Sequence, residues 1–221
     1  MTKQKLKNKL LKRAQFATKL LSYVPFIRMV AINGSLASGK INDDSDIDFF
    51  LISENKHLWT ARFFAIGILT FFNLRAKGKR HEHKVCLNHI LSNFDYKISF
   101  KNHYNAMQYS RLKILFDIDD QHQKFIEANT WMKRFGKLPV RFLTSKKRNI
   151  IQRFLEYLFK DSEYKFKERQ LQKISQNPFY KQSDSVKSFS DNEFYFYTNV
   201  SRKWRKPLSG DTREQDTRCK N

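Results

Sequence analysis

The sequence predicts an α/β fold of the α+β kind: a small mixed sheet with flanking helices, followed by a mainly helical C-terminal region. Three observations lead there. Strand-like apolar runs alternate with helix-period segments through residues 1–100, a Gly-Ser turn joins two of those runs, and helical periodicity takes over beyond Ser99.

Leu6, Leu10, Ala14, Ala17, Leu21 and Val24 recur at helical spacing among lysines, which describes an amphipathic helix with a basic outer face. Pro25 cannot continue it. Residues 26–32 then enter the sheet, residues 46–52 form a second strand, 58–74 return as a helix covering one sheet face, and 84–91 give a third strand. The spacing predicts further helices over 104–116, reaching over the cleft, and over 120–135, with a break at Pro139. A long basic helix is expected over 145–172, its apolar side made of Ile150, Ile151, Phe154, Leu155, Leu158 and Phe159. Residues 185–199 alternate aromatic and polar side chains, as a strand or ordered edge does. The expected organisation is a core over 1–100, a helical region over 101–200 and a disordered polar tail over 201–221.

The chemistry concentrates in residues 29–52. An apolar run ends in Asn33-Gly34-Ser35, and after a polar turn comes Asp46-Ile47-Asp48-Phe49-Phe50-Leu51-Ile52. Side chains of a strand alternate between faces, so Asp46 and Asp48 point the same way while Ile47, Phe49 and Leu51 point into packing. A carboxylate within so apolar a strand must be paired or coordinated. Oxygen ligands of this kind suit Mg²⁺, which shares carboxylates with substrate phosphates. Gly34 and Ser35, between strand and helix, offer backbone N–H groups and a hydroxyl to phosphate.

This constellation resembles the signature of the polymerase-β-like nucleotidyltransferase superfamily, with Asp46 and Asp48 matching its metal-binding acids and Gly34 and Ser35 its phosphate-holding turn. The resemblance extends to the helix over 58–74 and the strand over 84–91, as in bacterial nucleotidyltransferase-domain proteins. It implies a nucleotidyltransferase-like core that transfers a nucleoside monophosphate from a nucleoside triphosphate to an acceptor, with Mg²⁺, or Mn²⁺ in its place, clamping the attacking and leaving oxygens. The acceptor is open among RNA, protein and small molecules. Members that polymerise or adenylylate carry a third carboxylate on a neighbouring strand, and residues 85–91 contain no acid. Asn88 sits mid-strand, where its carbonyl oxygen is the candidate metal ligand; Glu82 and Asp95 flank the strand. The rival to catalysis is therefore a nucleotide- or nucleic-acid-binding module on the same fold.

Other motifs fall short. Gly34-Ser-Leu-Ala-Ser-Gly39-Lys40-Ile41 spaces its glycines and lysine as a P-loop does, but Ile41 replaces the Mg²⁺-binding hydroxyl and the residues after Lys40 read as a turn. Lys40 is either a solvated loop charge or a phosphate neutraliser. The segment 115–117 could pose as the acidic strand end that accompanies a P-loop. An EF-hand counted from Asp44 has Phe49 where glycine and Asn55 where glutamate belong. His81, His83 and His89 lack the further ligand that would close a zinc site.

Lys and Arg total 43 against 21 acids, a formal charge of +22. Residues 1–40 hold nine cations and no acid, 41–140 fifteen against eleven, and 141–221 nineteen against ten, so basic flanks enclose a nearly balanced middle. Such a field attracts polyanions, among them nucleoside triphosphates, nucleic acids and anionic lipid, although a Lys- and Asn-rich composition can also produce it. Cys86 and Cys219 form no disulfide framework and suit a reducing cytoplasm. No signal peptide is read at the N-terminus, and the apolar stretch over 58–74 is too short and too polar to be expected to cross a bilayer.

Overall fold

A computed structural model describes residues 2–76, 82–135, 147–182 and 185–197. Its helices are α1 (Lys3–Leu21), α2 (Gly34–Ser38), α3 (Leu58–Phe71), α4 (His103–Tyr109), α5 (Gln121–Ala128), α6 (Ile150–Phe159) and α7 (Glu163–Gln176). Its strands are β1 (Ile27–Ile32), β2 (Ile47–Ser53), β3 (Val85–Ser92), β4 (Lys113–Asp117), β5 (Val186–Phe189) and β6 (Glu193–Tyr197). The strands form one mixed sheet in the order β4-β1-β2-β3-β6-β5, in which β2 and β3 run parallel and every other pair antiparallel.

The sheet separates two apolar cores, and strand alternation decides which residue enters which. Ile47, Phe49 and Leu51 join Leu10, Leu21, Trp59 and Leu69 beneath α1 and α3. Phe50 and Ile52 join Ala106, Tyr109 and Phe125 under α4 and α5. The 58–74 stretch does cover one sheet face, with Leu58, Trp59, Ala61, Ala65 and Leu69 buried. Among the described residues no helix is long and apolar enough to cross a membrane.

Two of the expected helices differ in the structure. The helix expected over 104–116 stops at Tyr109, and residues 113–117 pair with β1 as an edge strand. A short apolar run reads equally as buried helix or strand, and here the sheet edge decides. The helix expected over 145–172 is two helices broken around Lys160 and Ser162. The aromatic segment 185–199 is a hairpin within its described residues, and β6 pairs with β3, so β4, β5 and β6 complete the same sheet as the first hundred residues. The 201–221 tail lies outside the described residues, as does Pro139.

Helix α6 turns polar side chains inward. Its buried residues are Gln152 and Glu156, not the apolar side. Gln152 donates to the carbonyls of Val24 and Ile27, both at 2.9 Å, satisfying backbone left unpaired where the chain enters β1. Glu156 accepts from the Phe26 N–H at 3.0 Å and from the buried Arg28 guanidinium at 2.5 Å. Arg28 also pairs with Glu54. Although burial alone would raise the Glu156 carboxyl, the Arg28 hydrogen bond and charge, with Phe26 and Arg148, hold it below its usual value.

Removing one partner of a buried ion pair strands the other. Glu156→Ala is expected to cost about 3 kcal/mol, read by thermal denaturation as a fall of roughly 6–12 °C in Tm. The stabilisation by Glu156 should be present above the ordinary carboxyl range and fade as the pH falls through its depressed pKa. An unchanged Tm would show that α6 is not tied to the sheet through this pair.

Candidate active site

β1 is followed by Asn33, whose N–H donates to the Asp48 carbonyl at 2.8 Å, and the chain turns at once into α2. Gly34 takes φ +66°, left-handed backbone that favours glycine. The absence of a side chain is also required sterically, since a Cβ here would lie 2.1 Å from Asp48 Oδ2. The Gly-Ser turn is thus pressed directly against the carboxylate of the neighbouring strand. Gly39, also left-handed, ends α2, and Lys40 follows it in an exposed loop. The helix therefore precedes the lysine, whereas a P-loop needs the lysine to open one.

Asp46 immediately precedes β2, and Asp48 is its second residue. The two carboxylates share a face, and one oxygen from each lies with Cys86 Sγ in a group whose ligand atoms are all within 4.8 Å of one another. All three residues are only partly buried, so the group opens to solvent. Cys86 reaches it because β3 runs parallel to β2 with Asp48 opposite Cys86. The next pair is Phe50 with His89, so β3 carries one extra residue there, a bulge. Cys86 and Asn88, two apart on β3, both address Asp48, and the bulge sets His89 opposite Phe50 in the core.

Asn88 Nδ2 donates to Asp48 Oδ1 at 2.6 Å, and its Oδ1 accepts from the Cys86 thiol at 2.7 Å. Burial pushes Asp48 up to about 7, the Asp46 charge adds to the rise, and the Asn88 hydrogen bond opposes it. Burial, followed by the charges of Asp48 and Asp46, raises Cys86 well above its ordinary value, so at neutral pH it is a protonated thiol. Two carboxylates held together at such a cost fit a divalent cation, which removes the repulsion on binding. The thiol supplies no hard oxygen ligand, whereas the Asn88 carbonyl does once its amide turns over.

On the opposite rim, the Gly34 N–H donates to Gln108 Oε1 of α4 at 3.1 Å. Asn33 Nδ2 donates to the Tyr197 hydroxyl at 3.4 Å. Burial, then the Asp48 charge, raises the phenol of Tyr104. Tyr197 is raised well above its ordinary value in the same order of causes. These aromatic and amide groups around the carboxylates come from α4 and β6, and residue spacing alone did not single them out.

The structure thus brings Gly34, Asp46, Asp48 and Asn88 together, with Ser35 beside Gly34 at the start of α2, and leaves Lys40 exposed on the following loop. Glu82 and Asp95 are exposed and stand outside the carboxylate group. Asp117 accepts from the N–H groups of Gln121 and His122 and so caps α5. His89 is buried between Tyr109 and Glu193, at 2.5 and 2.9 Å, which removes it from any cluster with His83; His81 lies outside the described residues.

A mixed sheet that presents two acids from one strand beside a Gly-Ser turn from its neighbour defines a nucleotidyltransferase-like α+β protein. The nucleotidyltransferase domain family matches residues 13–171, and the chain belongs to that family, consistent with the polymerase-β-like superfamily. That span takes in every strand of the site except β6. No curated protein matches the sequence. A nucleotide substrate and a divalent metal are what membership of this family implies.

With folded Asp48 near 7 and an ordinary unfolded carboxyl near 3.8, ionising it opposes folding, so metal-free stability should fall as the pH rises between those values. Asp48→Asn in chelator should therefore be more stable than wild type at pH 8, by about 1 kcal/mol or more. The gain should vanish toward pH 4, where wild-type Asp48 is protonated in both states. Chemical denaturation across this range tests it, and an equal or lower stability of the variant at pH 8 would contradict it.

Proposed function

We propose that the protein is a divalent-cation-dependent nucleotidyltransferase that moves a nucleoside monophosphate from a nucleoside triphosphate to an acceptor. The observation that carries this reading is the convergence of Asp46 and Asp48, with Asp48 against the bare α-carbon of Gly34. Asp46, Asp48 and the Asn88 carbonyl would hold Mg²⁺, or Mn²⁺ in its place; when bound, the ion neutralises charge on the attacking and leaving oxygens. Gly34 and Ser35 present N–H groups and a hydroxyl to the triphosphate, which takes over the place that Gln108 fills on the Gly34 N–H. Lys40, on its exposed loop, adds neutralising charge to the phosphates.

In the reaction an acceptor oxygen bonds to the α-phosphorus, the bond to the β-phosphate's bridging oxygen breaks, and pyrophosphate leaves. Fixing donor and acceptor in line is the chain's main contribution. RNA, a protein or a small hydroxylated molecule can supply the oxygen, and the basic flanks favour a polyanionic acceptor electrostatically. A reducing cytoplasm suits the free thiol of Cys86.

A second reading has its own observation: the residues of β3 that face the acid pair are Cys86 and Asn88, not a carboxylate. Under it the protein binds nucleotide or nucleic acid without transfer. Incubating the protein with each labelled nucleoside triphosphate, Mg²⁺ or Mn²⁺, and RNA, protein and aminoglycoside-like acceptors separates the two. Label transfer is expected, reduced about a hundredfold or more by Asp46→Asn or Asp48→Asn. Undiminished transfer in both variants would defeat the assignment, and saturable retention without transfer would favour the binding module.

A further inference from the structure

Helix α6 is mounted with most of its apolar side outward, Leu155 and Phe159 being half-buried and Phe159 packed against the core. Ile150, Ile151, Phe154, Tyr157 and Leu158 occupy positions i, i+1, i+4, i+7 and i+8, one face of a helix, and are 81, 51, 63, 75 and 58% exposed. The opposite face holds Gln152 and Glu156, locked to the carbonyls of Val24 and Ile27 and to Arg28. Those buried hydrogen bonds fix the helix's rotation, so the apolar face cannot turn inward without stranding Arg28 and the carbonyls. A contiguous exposed face of large apolar residues marks an interaction surface.

Charge says what covers it. Exposed Lys147, Arg153 and Lys160 accompany the face, with the Lys160 amine 5.8 Å from the Tyr157 ring centre, while Arg148 is turned to Glu156 at 3.3 Å. Glu156, the acid of α6, is turned inward, and the next acid along the chain is Asp161. A second copy would bring the same cations against these, on a chain of formal charge +22. Nucleic acid would set its phosphates against Ile150, Phe154 and Leu158, which offer them nothing. An anionic phospholipid surface fits both halves. Its acyl boundary accepts the isoleucine, leucine and phenylalanine side chains, its headgroups pair with lysine and arginine, and tyrosine suits the interface between them.

We propose that α6 seats the protein on the surface of a bilayer containing anionic phospholipid, as an in-plane amphipathic helix whose polar side is bound to the protein's own sheet. The binding is peripheral and independent of what the carboxylate site does.

The test is co-sedimentation of the full chain with phosphatidylcholine vesicles containing phosphatidylglycerol, against pure phosphatidylcholine. The serine variants Phe154→Ser and Leu158→Ser, combined, keep every charge while removing apolar contact. Binding to the anionic vesicles is expected, weaker by about tenfold or more in the double variant, with Tm unchanged or raised. In a separate Phe154→Trp variant, the tryptophan emission should shift to the blue on anionic vesicles, as insertion requires. Vesicle binding equal in the double variant and wild type would reduce the interaction to general electrostatics and overturn the proposal. So would no vesicle binding at all, or a concentration-dependent dimer that the double variant abolishes without vesicle binding, which would assign the face to self-association.

Discussion

The contact between Gly34 and Asp48 sets the geometry on which the site depends. A turn that leaves β1 and a carboxylate that rises from β2 lie so close that a methyl group at residue 34 would overlap the acid's oxygen. The Asn33 N–H bound to the Asp48 carbonyl fastens the two strands at the same level. One contact therefore fixes the distance between the Gly-Ser turn and a pair of acids. The α1 and α3 layer on one side and the α4 and α5 layer on the other hold the two strands in place. Preorganisation of this kind spares the site from ordering itself when substrate arrives.

The carboxylate pair is costly to keep. Burial and mutual repulsion raise Asp48, and Asn88 offsets only part of that with its hydrogen bond. Natural folds retain such strain where a ligand relieves it. β3 is the element in which this chain departs from the pattern of polymerising relatives. It delivers a thiol and an amide to the acids, and Cys86, Asn88 and Asp48 form a short hydrogen-bonded chain. An amide can present either its N–H or its carbonyl, so Asn88 can stabilise the ion-free carboxylate and then serve a cation.

Much of this was legible in the residues. Period-two alternation placed Asp46 and Asp48 on a common face, and the apolar run after them marked a buried strand. The glycine before the serine marked a turn with special backbone. Cys86 was readable only as part of an apolar run, because its role depends on the parallel register of β3 against β2, which the sequence does not encode locally. The bulge that separates Asn88 from His89 is equally silent. Residues 113–117 failed as a helix because so short an apolar run takes its structure from the edge of β1 that it meets. The periodicity of α6 was legible, while its facing was not. Two polar side chains, Gln152 and Glu156, found partners in the entry to β1 and so turned the apolar stripe to the outside.

That inversion and the acid pair obey one rule: buried polar groups go where their partners are, and apolar groups take what remains. At the sheet end two acids share a small volume, and a cation there would neutralise the charge of both. Titration of the full chain with Mn²⁺, followed by electron paramagnetic resonance of the free ion, addresses that claim without needing the acceptor. The account predicts saturable binding by the wild-type chain that the Asp46→Asn, Asp48→Asn double variant loses while staying folded. Equal Mn²⁺ binding by the two proteins would contradict it.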